Sequence, residues 1–119
     1  MIAPGDGPPL HLHRNEDESW YVIEGTLEFQ LGAERAIAPA GAFVFVPRGA
    51  PHGFRNAGDS DARILVLFTP FGMEAFFTRF AAVPADQLGP TAFSEAGAPV
   101  GMEVLGPPLS AGGPPRIAR

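Results

Sequence analysis

Short segments in which apolar and polar residues alternate, separated by turn residues, cover the first 70 positions of the chain. A period of two is typical of strands, because successive side chains point to opposite faces of a sheet. The pattern predicts seven strands, near residues 10–13, 19–23, 27–31, 35–38, 43–46, 52–55 and 64–68. Residues 43–46, Phe-Val-Phe-Val, are continuously apolar and predict a strand buried on both faces.

The period changes after residue 70. Met73, Phe76, Phe77 and Phe80 recur at helical spacing and predict a helix over residues 72–81. We expect the three aromatic side chains of this helix to close the end of the strand structure or to form a subunit contact, rather than to bind a ligand.

The remaining C-terminal residues carry a weaker pattern. Residues 84–88 predict one or two further helical turns, starting at a proline. Residues 91–104 are ambiguous and admit a short helix, with Val104 and Leu105 expected to pack back on the strands. Residues 110–119 are rich in Gly and Pro and predict a disordered tail.

Composition fits one turn-rich all-β domain. At 119 residues the chain can form a single core, and its 45% apolar content argues against global disorder. The 15 Gly and 14 Pro fit the many turns that short strands require. We divide the domain into a barrel at residues 1–70, a C-terminal helical segment at residues 71–109 that packs on the barrel, and the tail at residues 110–119.

Charge and residue usage argue against several kinds of partner. The net charge is −5 and the chain has no lysine and no basic patch, so we expect no nucleic-acid partner. The absence of cysteine excludes disulfides and thiolate ligands. We expect no membrane association, because no apolar run has transmembrane length. The first nine residues lack the features of a secretion signal, so a cytoplasmic location is expected.

The candidate chemistry lies in three histidines, His11, His13 and His52. His11 and His13 are alternate residues of a predicted strand, so their imidazoles would project from the same face, and Glu18 follows five residues after His13. Three imidazoles and a carboxylate that converge inside a barrel would make a mixed nitrogen and oxygen site for a divalent transition metal. The alternative is that these are ordinary barrel histidines bonded to their neighbours. We expect the two acidic residues before Glu18 to be solvated loop charges.

The spacing of these residues matches two sequence motifs. The first motif, G-x5-H-x-H-x(3,4)-E-x6-G, is matched by Gly5, His11, His13, Glu18 and Gly25. The second motif, G-x5-P-x-G-x2-H-x3-N, is matched by Gly41, Pro47, Gly49, His52 and Asn56. On these motifs the chain resembles the cupin superfamily, and it is similar to the small single-domain cupins of the quercetin dioxygenase-like group. The resemblance implies an all-β fold, a cupin-type double-stranded β-helix (jelly-roll) barrel with short C-terminal helices.

The resemblance also implies a site. One divalent transition metal ion, Fe, Mn, Ni, Cu or Zn, would be bound by His11, His13, Glu18 and His52. No organic cofactor is implied. Glu18 is in addition the candidate catalytic residue, because its carboxylate could alternate between metal ligand and general base.

Side-chain parity along the strands suggests a pocket around the site. Trp20, Phe29 and Phe54 are the candidate residues of an apolar substrate pocket, although an ordinary core position is the favoured interpretation for each aromatic taken singly. Our leading hypothesis is a metal-dependent oxidoreductase of dioxygenase type that acts on a small cyclic or aromatic hydroxylated substrate. The alternatives are a non-catalytic cupin that binds a small-molecule ligand, and a metal-dependent isomerase or lyase, which would need more polar groups in the cavity.

The start of the chain departs from the family pattern. Cupin barrels usually have one or more strands before the H-x-H strand, whereas here only ten residues precede His11. The resemblance therefore implies an unpaired sheet edge, which proteins normally cover. The chain could begin further upstream, a partner subunit could supply the pairing, or the barrel could be smaller. We favour a homodimer with edge-to-edge pairing near residues 1–9.

Overall fold

The computed structural model describes residues 1–111, which form eight strands and two α-helices. The strands are β1 (Pro9–His13), β2 (Asp17–Glu24), β3 (Thr26–Leu31), β4 (Glu34–Pro39), β5 (Phe43–Val46), β6 (His52–Asn56), β7 (Arg63–Thr69) and β8 (Met102–Pro108). The helices are α1 (Glu74–Ala81) and α2 (Pro90–Gly97), with single 3₁₀ turns at Ala85–Gln87 and Ala98–Val100. The seven predicted strands and the helix after residue 70 are confirmed, and the ambiguous stretch 91–104 contains most of α2 and the start of β8.

The strands form two antiparallel sheets that share a core. The five-stranded sheet has the order β4-β3-β6-β1-β8, and the three-stranded sheet has the order β5-β2-β7. Inward-facing side chains of both sheets make up the buried cluster between them: Trp20, Val22, Leu27, Ala38, Val44, Val46 and Ala62. Apolar alternation on each strand explains this arrangement, because one face of each sheet must be removed from water. The all-β jelly-roll class is confirmed.

β8 was not among the predicted strands, and it covers the edge of the sheet at β1. It pairs with β1 on the side away from β6, with Val104 opposite His11 and Met102 opposite His13. The expectation of an unpaired edge at β1 is therefore wrong, because the chain's own C-terminal residues complete the sheet. The sheet also extends past the boundary that we placed at residue 70.

The N-terminal residues are likewise paired within the chain. Ile2 and Ala62 exchange two backbone hydrogen bonds of 2.9 Å. The side-chain amide of Asn56 donates to the carbonyl oxygen of Ile2 at 2.9 Å and to that of Ser60 at 2.7 Å. Asn56, the last residue of the second motif, thus binds the turn that follows β6. The homodimer stays a prediction, but β1 offers it no open edge.

β5 is buried on one face only. Val44 and Val46 point into the core, whereas Phe43 and Phe45 are 62% and 51% exposed. The prediction of a strand buried on both faces is wrong, because residues 1–111 place no further layer over the outer side of the three-stranded sheet.

The two helices lie against one end of the sheets and form a second apolar cluster. Its buried members are Met73, Phe76, Phe93, Ala96 and Met102, with Phe68 of β7 packed against them. The cluster therefore joins the helices to both sheets. No helix within the described residues is long and apolar enough to cross a bilayer. Most of the predicted tail, residues 112–119, lies outside the described residues.

Candidate metal centre

Pairing between β1 and β6 brings the three histidines together. β1 directs His11 and His13 inward, and His52 lies directly opposite His11 on β6. All three side chains are buried, and one potential ligand nitrogen from each lies within 4.8 Å of the other two. The H-x-H pair and the distant third histidine of the sequence thus form one cluster.

Backbone carbonyl groups fix the orientation of two of these rings. Nδ1 of His11 lies 2.6 Å from the carbonyl oxygen of Pro9, and Nδ1 of His52 lies 2.9 Å from that of Ala50. Because a carbonyl oxygen can only accept, each Nδ1 carries a proton and donates it, so Nε2 is the ring nitrogen that can bind a metal. Contacts of this kind orient metal-binding histidines in proteins. Nε2 is therefore the potential ligand atom of both rings.

His13 is the third potential ligand, and its ring has unused bonding capacity. Both ring nitrogens are buried and neither has a hydrogen-bond partner among the described residues. A buried polar atom without a partner is costly, and coordination of a cation would satisfy one of them. The backbone of His13 is held in place by the loop before β6, because the Gly49 N–H donates to the His13 carbonyl oxygen at 2.7 Å.

Glu18 reaches the histidines from the facing sheet. Its Oε1 lies 3.4 Å from Nε2 of His13, and its Oε2 lies 3.0 Å from Nε2 of His52. The indole N–H of Trp20, two residues along the same face of β2, donates to Oε2 at 2.9 Å. Ligands about 2.1 Å from a metal in octahedral geometry lie about 3 Å apart when they are adjacent. The spacing of Glu18 from the two imidazoles fits that geometry.

Burial and mutual contacts set the charges of the site. Burial, together with the neighbouring His52, lowers the pKa of His11 to about 3, so this imidazole is neutral at pH 7. Burial by itself would raise the pKa of Glu18, but contacts with His13 and His52 outweigh it and hold that pKa well below its usual range. Neutral imidazole and ionised carboxylate are the forms that bind a divalent cation.

The four predicted metal ligands therefore lie together, three in the histidine cluster and Glu18 in contact with two of them. Three imidazole nitrogens and one carboxylate oxygen are suited to divalent Fe, Mn, Ni, Cu or Zn. In an octahedral complex, four protein ligands leave two positions for other molecules. The residues present thus fit the metal that the sequence motifs imply.

A cavity of about 120 Å³ lies beside the cluster, and its wall is mostly apolar. The polar residues of the wall are His11, His13 and Glu18. The others are Pro8, Trp20, Phe54, Val66, Phe68, Met73, Phe76, Phe77, Phe93 and Met102. A second, more open cavity of about 460 Å³ shares Pro8, Phe54 and Phe93 with the first. The two cavities therefore adjoin at these three residues, and we call the first the inner cavity and the second the outer cavity.

Two of the three predicted pocket residues, Trp20 and Phe54, line the inner cavity, and Phe29 does not. Phe29 instead packs edge-on against Trp20, with ring centroids 6.0 Å apart. The helix aromatics Phe76 and Phe77 line the cavity as well, so they do more than close the end of the sheets.

Sequence reasoning missed Phe93, whose ring centroid lies 5.0 Å from that of His11. Phe93 belongs to α2, in the stretch that carried no clear period, so no signal in the sequence pointed to it. The expectation of a solvated charge is wrong for Glu16, which is buried, and burial raises its pKa. Asp17, by contrast, accepts the backbone N–H of Arg48 at 2.9 Å, and this bond lowers its pKa.

Comparison with known proteins shows which family, relatives and solved structures the chain is similar to. The family model of the cupin domain matches residues 1–68. The quercetin 2,3-dioxygenase of Bacillus subtilis (strain 168) is 39% identical over 82 residues, which is 69% of this chain but 24% of that relative. Among solved structures, TT1209 from Thermus thermophilus is 38% identical with a TM-score of 0.56, over 58% of this chain and 66% of that one. A sugar phosphate isomerase from a cupin superfamily, from Silicibacter pomeroyi DSS-3, is 29% identical with a TM-score of 0.54, over 58% of this chain and 46% of that one.

Proposed function

The chain belongs to the cupin domain family, and we propose that it is a metal-dependent oxidoreductase of dioxygenase type. In this proposal the histidine cluster and Glu18 bind one divalent transition metal ion. The substrate is a small cyclic or aromatic hydroxylated molecule in the inner cavity. The convergence of three buried imidazoles with an ionised carboxylate is the observation that carries the proposal. The similarity to a quercetin 2,3-dioxygenase supports the reaction type.

A divalent Fe, Mn, Ni or Cu ion held by the three histidines and Glu18 would supply a Lewis acid and a redox-active centre, whereas Zn would supply a Lewis acid alone. The chain supplies the orientation of its ligands and the acid–base chemistry. Trp20 holds Oε2 of Glu18 through its indole N–H, whereas Oε1 accepts no bond from Trp20. Glu18 Oε1 is therefore the atom that would accept the proton of a substrate hydroxyl group.

The wall of the cavity supports an aromatic ligand. A dry apolar cavity of about 150 Å³ is known to accommodate benzene, so the inner cavity of about 120 Å³ is close to the size of one ring. Phe54, Phe68 and Phe93 line that space, and aromatic side chains pack favourably against another ring. A larger substrate would place its reacting ring there and the rest of the molecule in the outer cavity of about 460 Å³.

The isomerase alternative is less well supported by the cavity. Recognition of a sugar phosphate relies on cationic or backbone donors for the phosphate group. Neither Arg nor Lys lines the inner cavity in the described part of the chain. The apolar wall therefore favours a hydroxylated ring over a phosphorylated sugar.

The first test is elemental analysis of the purified protein beside the double variant His11→Ala/His52→Ala. We expect about one transition metal ion per chain in the wild type and a large loss in the double variant. Circular dichroism checks that the variant folds, and Arg63→Ala, at an exposed position of β7, is the matched control that should keep its metal. No metal in the wild type after reloading would refute the site.

The second test is oxygen consumption by the metal-loaded protein with a flavonol, a catechol and a β-diketone. Turnover in the wild type that is lost in a Glu18→Gln variant shown to carry the same amount of metal supports the oxidoreductase with Glu18 as its base. Tight binding of one of these compounds with no oxygen consumed would contradict the proposed reaction and favour a ligand-binding cupin.

A further inference from the structure

Phe93 lies at the boundary between the inner and the outer cavity. Within the described part of the chain it is the one residue of α2 that lines the inner cavity. The outer cavity reaches the start of the same helix, where Leu88, Gly89 and Pro90 line it. Phe93 is only 9% exposed, so its side chain is enclosed by the protein at the place where the two cavities adjoin.

Two aromatic residues of α1 show on which side of Phe93 each cavity lies. Phe76 lines the inner cavity and not the outer one, whereas Phe80 lines the outer cavity and not the inner one. The ring of Phe93 packs edge-on against both, with centroid distances of 5.0 Å to Phe76 and 5.7 Å to Phe80. Edge-to-face contacts of this kind are favourable. Phe93 is therefore held between an inner and an outer aromatic neighbour.

Phe93 also stands beside the metal centre. Its ring centroid lies 5.0 Å from that of His11, with an angle of 66° between the two planes. The other two residues of the boundary are placed differently. Phe54 packs against Trp20, with centroids 5.1 Å apart, and Pro8 has a short side chain. Phe93 is thus the boundary residue whose ring lies next to a candidate metal ligand.

We propose that Phe93 determines the size of the ligand that the site accepts, by limiting the inner cavity to a single ring. This inference rests on the proposed function, because it concerns the substrate of the same site. The inner cavity of about 120 Å³ is no larger than the cavity of about 150 Å³ that holds benzene. The outer cavity of about 460 Å³ lies beyond Phe93, so the space that a second ring needs is on the far side of this side chain.

The proposal narrows the class of substrate. A fused second ring is rigid and coplanar with the first, so it needs free space directly beside the reacting ring. On the side of the outer cavity that space is occupied by Phe93. Steric overlap with a fixed side chain is a common source of specificity. A catechol has one ring and a flavonol contains a fused pair, so we expect the monocyclic compound to be preferred.

The test compares phenol with 2-naphthol, which carry the same hydroxyl group and differ by one fused ring. Binding to the whole chain is followed by proton NMR, through the indole N–H signal of Trp20. Trp20 is the only tryptophan of the chain, and it lines the inner cavity but not the outer one. A shift of its signal therefore reports a ligand in the inner cavity. Each titration is made with Zn²⁺ and again after chelation, and the order of the two affinities should be the same because the limit is steric.

In the wild type, 2-naphthol should bind no more tightly than phenol, although its larger apolar surface would otherwise favour it. Phe93→Ala removes the ring at the boundary and should strengthen the binding of 2-naphthol at least tenfold, whereas the Kd of phenol should change less than threefold. Phe93→Leu keeps more of the packing and should give a smaller gain in the same direction. A merely structural role of Phe93 would change the binding of both compounds alike.

Phe80→Ala is the matched control. Phe80 packs against the same helix cluster as Phe93 and lines the outer cavity, but it does not line the inner one. The substitution should leave the Kd of both compounds unchanged. Circular dichroism establishes that each variant is folded, and Phe93→Leu serves as the test if Phe93→Ala does not fold.

Three results would overturn the inference. The first is a wild type in which 2-naphthol shifts the Trp20 signal with a lower Kd than phenol. The second is the same ratio of the two Kd values in the wild type and in a folded Phe93→Leu variant. The third is a Trp20 signal that neither compound shifts in any of these proteins. None of them depends on oxygen consumption, so a failure of the dioxygenase proposal is distinguishable from a failure of this one.

Discussion

The metal-free protein should lose stability in mild acid, chiefly through His11. The pKa of His11 is about 3 in the folded state and 6.5 in a free side chain, because burial opposes its protonation. As the pH falls below 6.5 the unfolded chain takes up a proton that the folded protein does not. The folded state is thus stabilised fully above pH 6.5, and this contribution is lost progressively as the pH falls toward 3.

The size of the effect follows from the two pKa values. Between pH 7 and pH 4, proton uptake by the unfolded state lowers the free energy of unfolding by roughly 3 kcal/mol. The slope is about 1.4 kcal/mol per pH unit once the pH is well below 6.5. For a domain of this length that loss corresponds to a decrease of about 10 °C in Tm. The pKa of Glu18 is also depressed, so its contribution adds to the loss below its ordinary value of 4.5.

The assay is urea unfolding of chelator-treated protein at several pH values from 7 to 4. His11→Asn removes the titrating ring and keeps an N–H donor near the carbonyl oxygen of Pro9. Its free energy of unfolding should depend on pH less steeply than that of the wild type, by about 1.4 kcal/mol per pH unit between pH 6 and pH 4.

Glu16→Gln is a control variant in which the pH dependence of the free energy of unfolding should change in the opposite direction. Burial raises the pKa of Glu16, so the folded state takes up this proton first as the pH falls and gains stability from it. Removing the carboxyl group should therefore make the free energy of unfolding decrease more steeply as the pH falls. Equal pH slopes in the wild type and in His11→Asn would refute the conclusion that the protein holds this imidazole neutral.

Three further predictions concern the site and its supports. Glu18→Gln keeps the shape of the side chain but removes its charge, so calorimetric titration with Ni²⁺ should give a Kd at least tenfold higher, a change of about 1.4 kcal/mol; an unchanged Kd would exclude Glu18 as a ligand. Gly7→Ala should lower the free energy of unfolding by about 2 kcal/mol in urea titration, because a Cβ at this position would lie 1.8 Å from the carbonyl oxygen of Phe54. An unchanged free energy of unfolding would contradict this close approach. Phe93→Ala should lower the same free energy by about 3 kcal/mol, because Phe93 is buried in the helix cluster; a loss below about 1 kcal/mol would mean that α2 contributes little to the packing.

The metal cluster could be predicted because it depends on short-range spacing and on strand parity. Alternation placed His11 and His13 on one face, and the motif around His52 supplied the third residue. The sequence could not show which nitrogen of each ring is available to a metal, because that depends on which carbonyl oxygen lies beside the ring after folding. The bonds from His11 to Pro9 and from His52 to Ala50 are both visible only in three dimensions.

The missed features depend on contacts between distant parts of the chain. β8 contains a glycine and two prolines, residues that individually favour loops, yet it forms a strand because the free side of β1 offers hydrogen-bond partners. Phe93 reaches the cavity because two short helices fold back over the sheets, and no period along the chain encodes that position. The exposure of Phe43 was missed because an apolar strand looks the same whether a neighbouring layer or another subunit covers it.

The position of Trp20 makes the site optically observable. It is the one tryptophan of the chain, its indole N–H is bonded to Glu18, and its ring centroid lies 5.8 Å from that of His52. Emission from the protein on excitation of tryptophan therefore originates within a few ångströms of the metal ligands. Titration with a paramagnetic ion such as Cu²⁺ should quench that emission, whereas closed-shell Zn²⁺ should only shift it. The chain thus contains an intrinsic fluorophore with which metal binding can be followed in unlabelled protein.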